Sequence, residues 1–412
     1  MRSRADGCGL HRNVYARQGR VWTTGTGWNA SLLGSPFFAP FQRLQVQHGT
    51  PPSTCGEQLQ HVVMVAVPAK TGCKQLGHSF YNLLMPLQEE LTKLGWPRST
   101  TIVYLDCTGG GIGRWGGTTL SRSPEFIHTA FRLVTTQPLR SLPALLSQRH
   151  GPASWLRNTL FRERTLCADQ LLVGTPCATV DHFNPRVGAE SVRLFHSQLA
   201  SIVLGRSLQS MWTDSATTRF NVLILDRNDS RRILNSAALL HAMRRVPGVG
   251  RVRSVMFEKM PLRQQVEMAA TSHAMVGIEG TGLFHACYMQ PRSTVVVVMP
   301  FGTPVLLRNK GTNFVRLWRA SRLRVKRIDV LRARDTVQHD PTPRCLACMR
   351  ALTNASGWLT TASSRPEACK NTNNRGDVAW YGCVLNQASR VPLTGAVRAI
   401  EDALKPAPVH DG

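Results

Sequence analysis

The residues of this chain best suited to chemistry by type and spacing are three arginines and a glycine-rich turn further along. The arginines stand in Asp226-Arg227-Asn228-Asp229-Ser230-Arg231-Arg232-Ile233-Leu234-Asn235. Arg227 follows an apolar strand, and Ser230 or Asp229 is placed to cap a helix. Arg231 and Arg232 then fall in the first helical turn, where cations oppose the helix dipole at about 0.3–1 kcal/mol each. Such a placement points to an anion, and a diphosphate suits bidentate guanidinium groups. Two solvated arginines on a basic protein are the plainer alternative. The glycines stand in Gly277-Ile278-Glu279-Gly280-Thr281-Gly282-Leu283, between a short apolar strand and a short helix. Strand, glycine turn and helix N-terminus together form a common anion cradle. Glycine lets the backbone approach, and the first-turn N–H groups face the ligand. A plain tight turn in an α/β sheet is the alternative.

His285 lies one turn into that short helix. It is placed either to donate to a phosphate oxygen or to sit partly buried. Glu279 would repel a phosphate, so it binds a hydroxyl or an arginine, acts as a base, or points away. His78, in Gly77-His78-Ser79, opens a helix in the first half of the chain and faces strand ends. It is the first choice for a general base, since a neutral imidazole works near neutral pH; helix capping or a core role is the alternative. The glycine spacing is Gly-x-x-Gly-x-Gly, and the next strand ends in Met299-Pro300-Phe301 with no acid for a ribose hydroxyl. A nicotinamide dinucleotide is therefore not expected. No Asp-x-Asp occurs, so a metal-clamped diphosphate is not expected either.

Strand and helix patterns position these residues. Val62 to Val67 is a continuous apolar run, as in a buried strand. Phe80 to Leu94 has helical apolar spacing, with a kink expected at Pro86. Further strands are expected at Thr101 to Leu105 and Leu166 to Val173, with a bridging helix from Ala189 to Leu204. In the second half, strands at Asn221 to Leu225, Val252 to Phe257, Ala274 to Ile278 and Thr294 to Met299 alternate with helices. Those helices are expected at Arg231 to Val246, Pro261 to Ser272 and Leu283 to Gln290. This alternation predicts a parallel sheet with helices on both faces, and ligands at the carboxyl ends of its strands.

Composition sets the outer bounds. The chain has 412 residues, enough for two or three domains. Residues 1–54, with Asp6 as the only acid, read as a disordered or targeting leader. Residues 55–205 form a first Rossmann-like domain ending in the bridging helix, and 206–335 a second. Residues 336–412 form a loosely packed, cysteine-containing tail that can wrap back on the fold. The formal net charge is +26, and only 8 of the 50 basic residues are lysine. The arginines are scattered, without aromatic interleaving, so a nucleic-acid partner is not expected. Cys345, Cys348, Cys369 and Cys383 allow a zinc site or disulfides, and the spacing favours disulfides. Asn29, Asn228 and Asn354 each begin an Asn-x-Ser sequon.

The motifs resemble those of glycosyltransferase family 61. The family's glycine motif stands here as Gly277-Ile278-Glu279-Gly280-Thr281-Gly282-Leu283, followed by Met289-Gln290-Pro291-Arg292-Ser293-Thr294. Its arginine motif stands as Asp226-Arg227 and Arg231-Arg232-Ile233-Leu234-Asn235. Its first-domain motif stands as Gly77-His78-Ser79-Phe80-Tyr81-Asn82, and Leu172-Val173-Gly174 resembles its strand end near the domain junction. The resemblance covers roughly residues 60 to 330. It implies a GT-B-like α/β fold, with two Rossmann-like domains facing a central cleft. It implies inverting, metal-independent transfer from a nucleotide-sugar donor, usually UDP-linked, to a glycan or protein hydroxyl, with no cofactor. The donor would meet Arg227, Arg231, Asn235, Gly280, Thr281, Gly282, Leu283 and His285, with His78 and Glu279 as catalytic choices. Where the family has a histidine this chain has Glu279, where it has an alanine Thr281, and where it has an acid Asn82. An inactive sugar-nucleotide fold that binds or scaffolds is the alternative those departures raise. The family places the protein in the Golgi or endoplasmic reticulum lumen, with membrane contact only through an anchor that this chain does not contain.

Overall fold

The computed structural model describes residues 9–17, 20–23, 45–48, 57–66, 84–105, 129, 131–137, 140–141, 166–173, 189–216, 219–228, 231–303, 315–338, 343–359, 367–369 and 387–405. They fall into two compact units, 1–191 and 192–412. The division lies within the helix expected to bridge the halves, near its start rather than after its end.

The first unit is built on one sheet. Its strands are β1 (Gly9–Arg17), β2 (Arg20–Thr23), β3 (Gln45–His48), β4 (Glu57–Ala66), β5 (Thr101–Leu105), β6 (Arg140–Ser141) and β7 (Leu166–Val173). Their order is β3-β2-β1-β7-β4-β5-β6. The strands from β7 to β6 are parallel, as the apolar runs predict, and β1 joins β7 antiparallel. Part of the stretch read as a leader is therefore sheet. Strand pairing is satisfied by backbone N–H and C=O groups, so an Arg- and Gly-rich composition does not exclude it. Helix α1 (Met85–Lys93) carries Pro86 in its first turn rather than at an interior kink. Proline is tolerated there because the first N–H groups lack intrahelical acceptors. Leu84, Leu87 and Leu91 bury one face of this segment, and Val62, Val63, Ile102, Leu171 and Leu172 supply buried sheet positions.

The second unit starts in α2 (Ala189–Leu204) and α3 (Leu208–Ala216). It continues through β8 (Phe220–Leu225), α4 (Ser236–Arg244), β9 (Val249–Val255), α5 (Leu262–Ala270) and β10 (Ala274–Ile278). A 3₁₀ run, Thr281–Tyr288, then leads to β11 (Thr294–Met299), α6 (Val315–Ala320) and β12 (Arg324–Asp329). Five strands form an all-parallel sheet in the order β12-β11-β10-β8-β9. Counting from β8, that order is a doubly wound 2-1-3-4-5, whose direction reverses between β8 and β10. β10 and β11 are buried at every position, which accounts for their unbroken apolar sequence.

The segment after 335 is more firmly joined than its composition indicates. β13 (Thr336–Gln338) pairs with β14 (Gln387–Ser389), and α7 (Pro343–Ala351) carries Cys348 of a Cys348–Cys369 disulfide. Cys345 is also disulfide-bonded, so these thiols do not form a zinc site. Helix α8 (Leu393–Leu404) buries Ala396, Ala399 and Ile400 in the same core as Val296, Val298 and Ile328. Among the described residues, no helix is long and apolar enough to cross a membrane.

Candidate functional site

The arginine loop leaves the carboxyl end of β8, and the glycine turn leaves that of β10. These adjacent strands, paired Gly277 to Leu225, flank the point where strand order reverses. Ligands of open α/β sheets bind at that position.

Asp226 organises the arginine loop. Its Oδ1 accepts the backbone N–H groups of Arg227 (2.8 Å) and Ile233 (2.9 Å). The N–H of Asn228 donates to Glu258 Oε1 at 3.0 Å. Leu234 N–H donates to Ser389 O, and Ser389 N–H to Arg232 O, both at 2.9 Å. These N–H groups therefore serve partners outside a helix, and α4 begins only at Ser236. Arg231 and Arg232 consequently precede the helix instead of occupying its first turn, so the dipole argument for them does not apply. Arg231 is instead held at φ 62°, a left-handed conformation that costs a non-glycine residue about 1–2 kcal/mol. A fixed, strained cation replaces a misplaced one.

Arg231 lies on the glycine turn. A Cβ added to Gly280 would stand 2.5 Å from Arg231 Nη1 and 3.3 Å from its Cδ. Glycine leaves the space the guanidinium fills, and a side chain at 280 would push it aside. Glu279 is 3% exposed. Burial pushes its carboxyl above the usual range, and the Arg231 charge opposes that shift. Of the readings open for Glu279, the one that involves an arginine has support in this charge interaction. Gly277 serves packing, since a Cβ there would meet Leu283 Cδ2 at 3.1 Å and Leu225 Cβ at 3.2 Å.

The run after the turn is 3₁₀ rather than α, and side chains secure its carbonyls. Trp318 Nε1 donates to Leu283 O at 3.1 Å, and Trp212 Nε1 to Tyr288 O at 3.0 Å. His285 Nδ1 lies 3.2 Å from Gly282 O, an acceptor, so this nitrogen carries the proton. His285 is 1% exposed among Phe257, Phe284 and Tyr288. Burial pulls its pKa down to about 4, with the Gly282 hydrogen bond opposing and nearby His196 adding to the fall. It is a core histidine beneath the turn, not a phosphate donor upon it. Leu283 is likewise buried, and its N–H donates to Gly280 O at 3.1 Å. Thr281 opens the run with its backbone. Among the described residues, a Cβ added to Gly282 would meet Leu225 Cδ1 at 3.6 Å and nothing closer.

Asn235 also departs from expectation. Its Nδ2 donates to Val391 O at 2.9 Å, and its Oδ1 accepts the Val391 N–H at 2.8 Å. Both amide ends are engaged with the strand-to-helix link before α8, so Asn235 clamps that link. Asn235→Ala is expected to lower stability by about 2 kcal/mol, two hydrogen bonds at about 1 each, as read by urea denaturation; an unchanged midpoint would contradict the clamp. Arg227 stays half-exposed at the mouth of the loop. His78 and Asn82 lie outside the described residues. Among the described residues, no three His, Cys, Asp or Glu side chains gather to hold a metal ion. The sequence reading missed Asp226 as the loop's organiser and the two tryptophans. The first was visible as an acid directly after an apolar strand; the tryptophans carried no local signal.

A doubly wound sheet with a guanidinium laid on a glycine turn at its switch point is suited to an anionic ligand. The family model described as Glycosyltransferase 61 matches residues 76–297, more than half of the chain. The chain belongs to glycosyltransferase family 61. No curated protein matches it in sequence.

Proposed function

We propose that the protein transfers a sugar from a UDP-linked donor to a hydroxyl of a glycan or protein acceptor, with inversion and without a metal. The observation that carries this reading is the Arg231 guanidinium seated on Gly280, between two strands at the switch point. A diphosphate leaving group develops negative charge as the bond to the anomeric carbon breaks. Arg227, Arg231 and the N–H groups at Thr281 and Gly282 stabilise that charge without reorganising. The acceptor hydroxyl attacks the anomeric carbon from the opposite face, so one displacement inverts its configuration. His78 is the base in this scheme, and a GT-B-like fold, as the family resemblance implies, goes with it. The lumen of the Golgi or endoplasmic reticulum is the proposed compartment; the Cys348–Cys369 disulfide suits its oxidising conditions.

Calorimetry with UDP tests the donor site. Wild-type protein is expected to bind, Arg227→Ala to bind about tenfold more weakly, as for one charged hydrogen bond, and EDTA to leave both affinities unchanged. No UDP affinity in the wild type, or equal affinity in the variant, contradicts the assignment. A strict manganese requirement contradicts the metal-free step.

A further inference from the structure

We propose that Asn354 is an N-glycosylation acceptor, a site that rests on the lumenal compartment proposed above. Asn354-Ala355-Ser356 has the required hydroxyl two residues on and no proline between. All three residues are exposed. They form the tip of a reverse turn just beyond α7, closed by the bridge between Thr353 and Leu359. Asn354 N–H donates to Trp358 O, and Gly357 N–H donates to Asn354 O, both at 2.9 Å. The side-chain Oδ1 accepts the N–H groups of Ser356 (3.0 Å) and Trp358 (2.9 Å). Gly357 supplies the left-handed φ of 77° that the turn needs. A glycan on this tip projects into solvent and displaces no packed group.

Of the sequon at Asn228, only Asn228 itself is among the described residues. Asn228 is adjacent to Arg227, within the loop that carries Arg231, and its N–H is tied to Glu258. A glycan there would stand over the proposed diphosphate site, so Asn228 is assigned no glycan. Asn29 lies outside the described residues. At Asn354, Nδ2 attacks the anomeric carbon of a lipid-diphosphate-linked oligosaccharide. The Nδ2–carbon bond forms, the carbon–oxygen bond to the diphosphate breaks, and one Nδ2 proton leaves. The host's glycosylation machinery supplies this co-substrate. The Cys348–Cys369 bridge, which ties α7 to the segment beyond this turn, suits the same oxidising compartment.

The test is expression of the full-length gene in eukaryotic cells. The recovered protein is treated with an amidase that turns glycosylated asparagine into aspartate in heavy-oxygen water, and its peptides are mapped. Label is expected at position 354 and not at 228. It should be lost in Ser356→Ala and kept in Ser356→Thr, with thermal midpoints equal to wild type. Unlabelled Asn354 in protein whose Cys348 and Cys369 are oxidised overturns the site while leaving the compartment standing. Protein recovered from the cytosol with both thiols open to alkylation overturns the compartment and the site together. Donor binding, measured separately with UDP, is independent of either result.

Discussion

Replacing Arg231 with alanine is expected to weaken UDP binding by about a hundredfold and to cost about 1 kcal/mol of stability. The two losses have separate causes. The first is removal of a guanidinium whose hydrogen bonds to a diphosphate are charge-assisted, worth about 1.5–3 kcal/mol. The second is a buried carboxylate left alone. Glu279 is almost wholly buried, and Arg231 is the charge that offsets its desolvation. The two groups interact at a distance rather than through a direct ion pair, and Arg231 is only half-buried, so the expected loss is about 1 kcal/mol. The double variant Arg231→Ala/Glu279→Gln separates the effects: stability returns toward wild type, while UDP affinity stays low. Arg231→Lys should hold stability better than affinity, because an ammonium cannot repeat the bidentate contact. If Arg231→Ala binds UDP normally, the cradle is not a diphosphate site. If it binds weakly but unfolds like wild type, Glu279 is not held by Arg231. Either measurement separates a ligand-binding arginine from one that serves only the fold.

Acidification from pH 7 to pH 5 is expected to remove about 2 kcal/mol of stability for each of His196 and His285. His196 is 1% exposed, and its Nδ1 hydrogen-bonds Val192 O at 2.7 Å. Burial lowers its pKa from 6.5 to about 4, against the effect of that bond; His285 falls to the same value. Both are neutral in the folded chain, while an unfolded chain takes up protons as pH drops through 6.5. The stability is therefore present in full above about pH 6.5, is lost as pH falls toward 4, and changes little below that from these groups. His273 is shifted down as well and adds in the same direction. Glu279, shifted up, works in the opposite sense. Urea titrations at the two pH values measure the net loss. His196→Phe, placed against Phe195, Phe284 and Tyr288, should remove about half of it. Equal denaturation midpoints at pH 7 and pH 5 would sink the account. The consequence for function is direct, because His285 supports the 3₁₀ run that carries the glycine turn.

Much of the framework was legible from residue order. Apolar runs marked β5, β10 and β11 to the residue, because a strand buried on both faces admits little else, and β7 was placed to the residue although Asp169 and Gln170 interrupt its run. The glycine motif and the arginine motif marked both halves of the site and the family. Glycine spacing reports backbone geometry directly, and an arginine cluster after a strand end reports charge at a ligand face. The sequence also left Glu279 with several roles, and no local pattern could choose among them.

Tertiary structure decided the rest. β1 enters a sheet through backbone hydrogen bonds that composition does not record. The start of α4 was moved to Ser236 by Asp226 and by Ser389, a residue far along the chain. His285 became a core residue because Phe257, Phe284 and Tyr288 enclose it, and Asn235 became a clamp because Val391 reaches it. Arg231 drew its meaning from Gly280 and Glu279, which lie one strand over. Residue type and spacing determined which groups could meet an anion. Long-range contacts determined which of them stay at the surface to do so, because burial and hydrogen-bond pairing depend on neighbours that the chain brings from a distance.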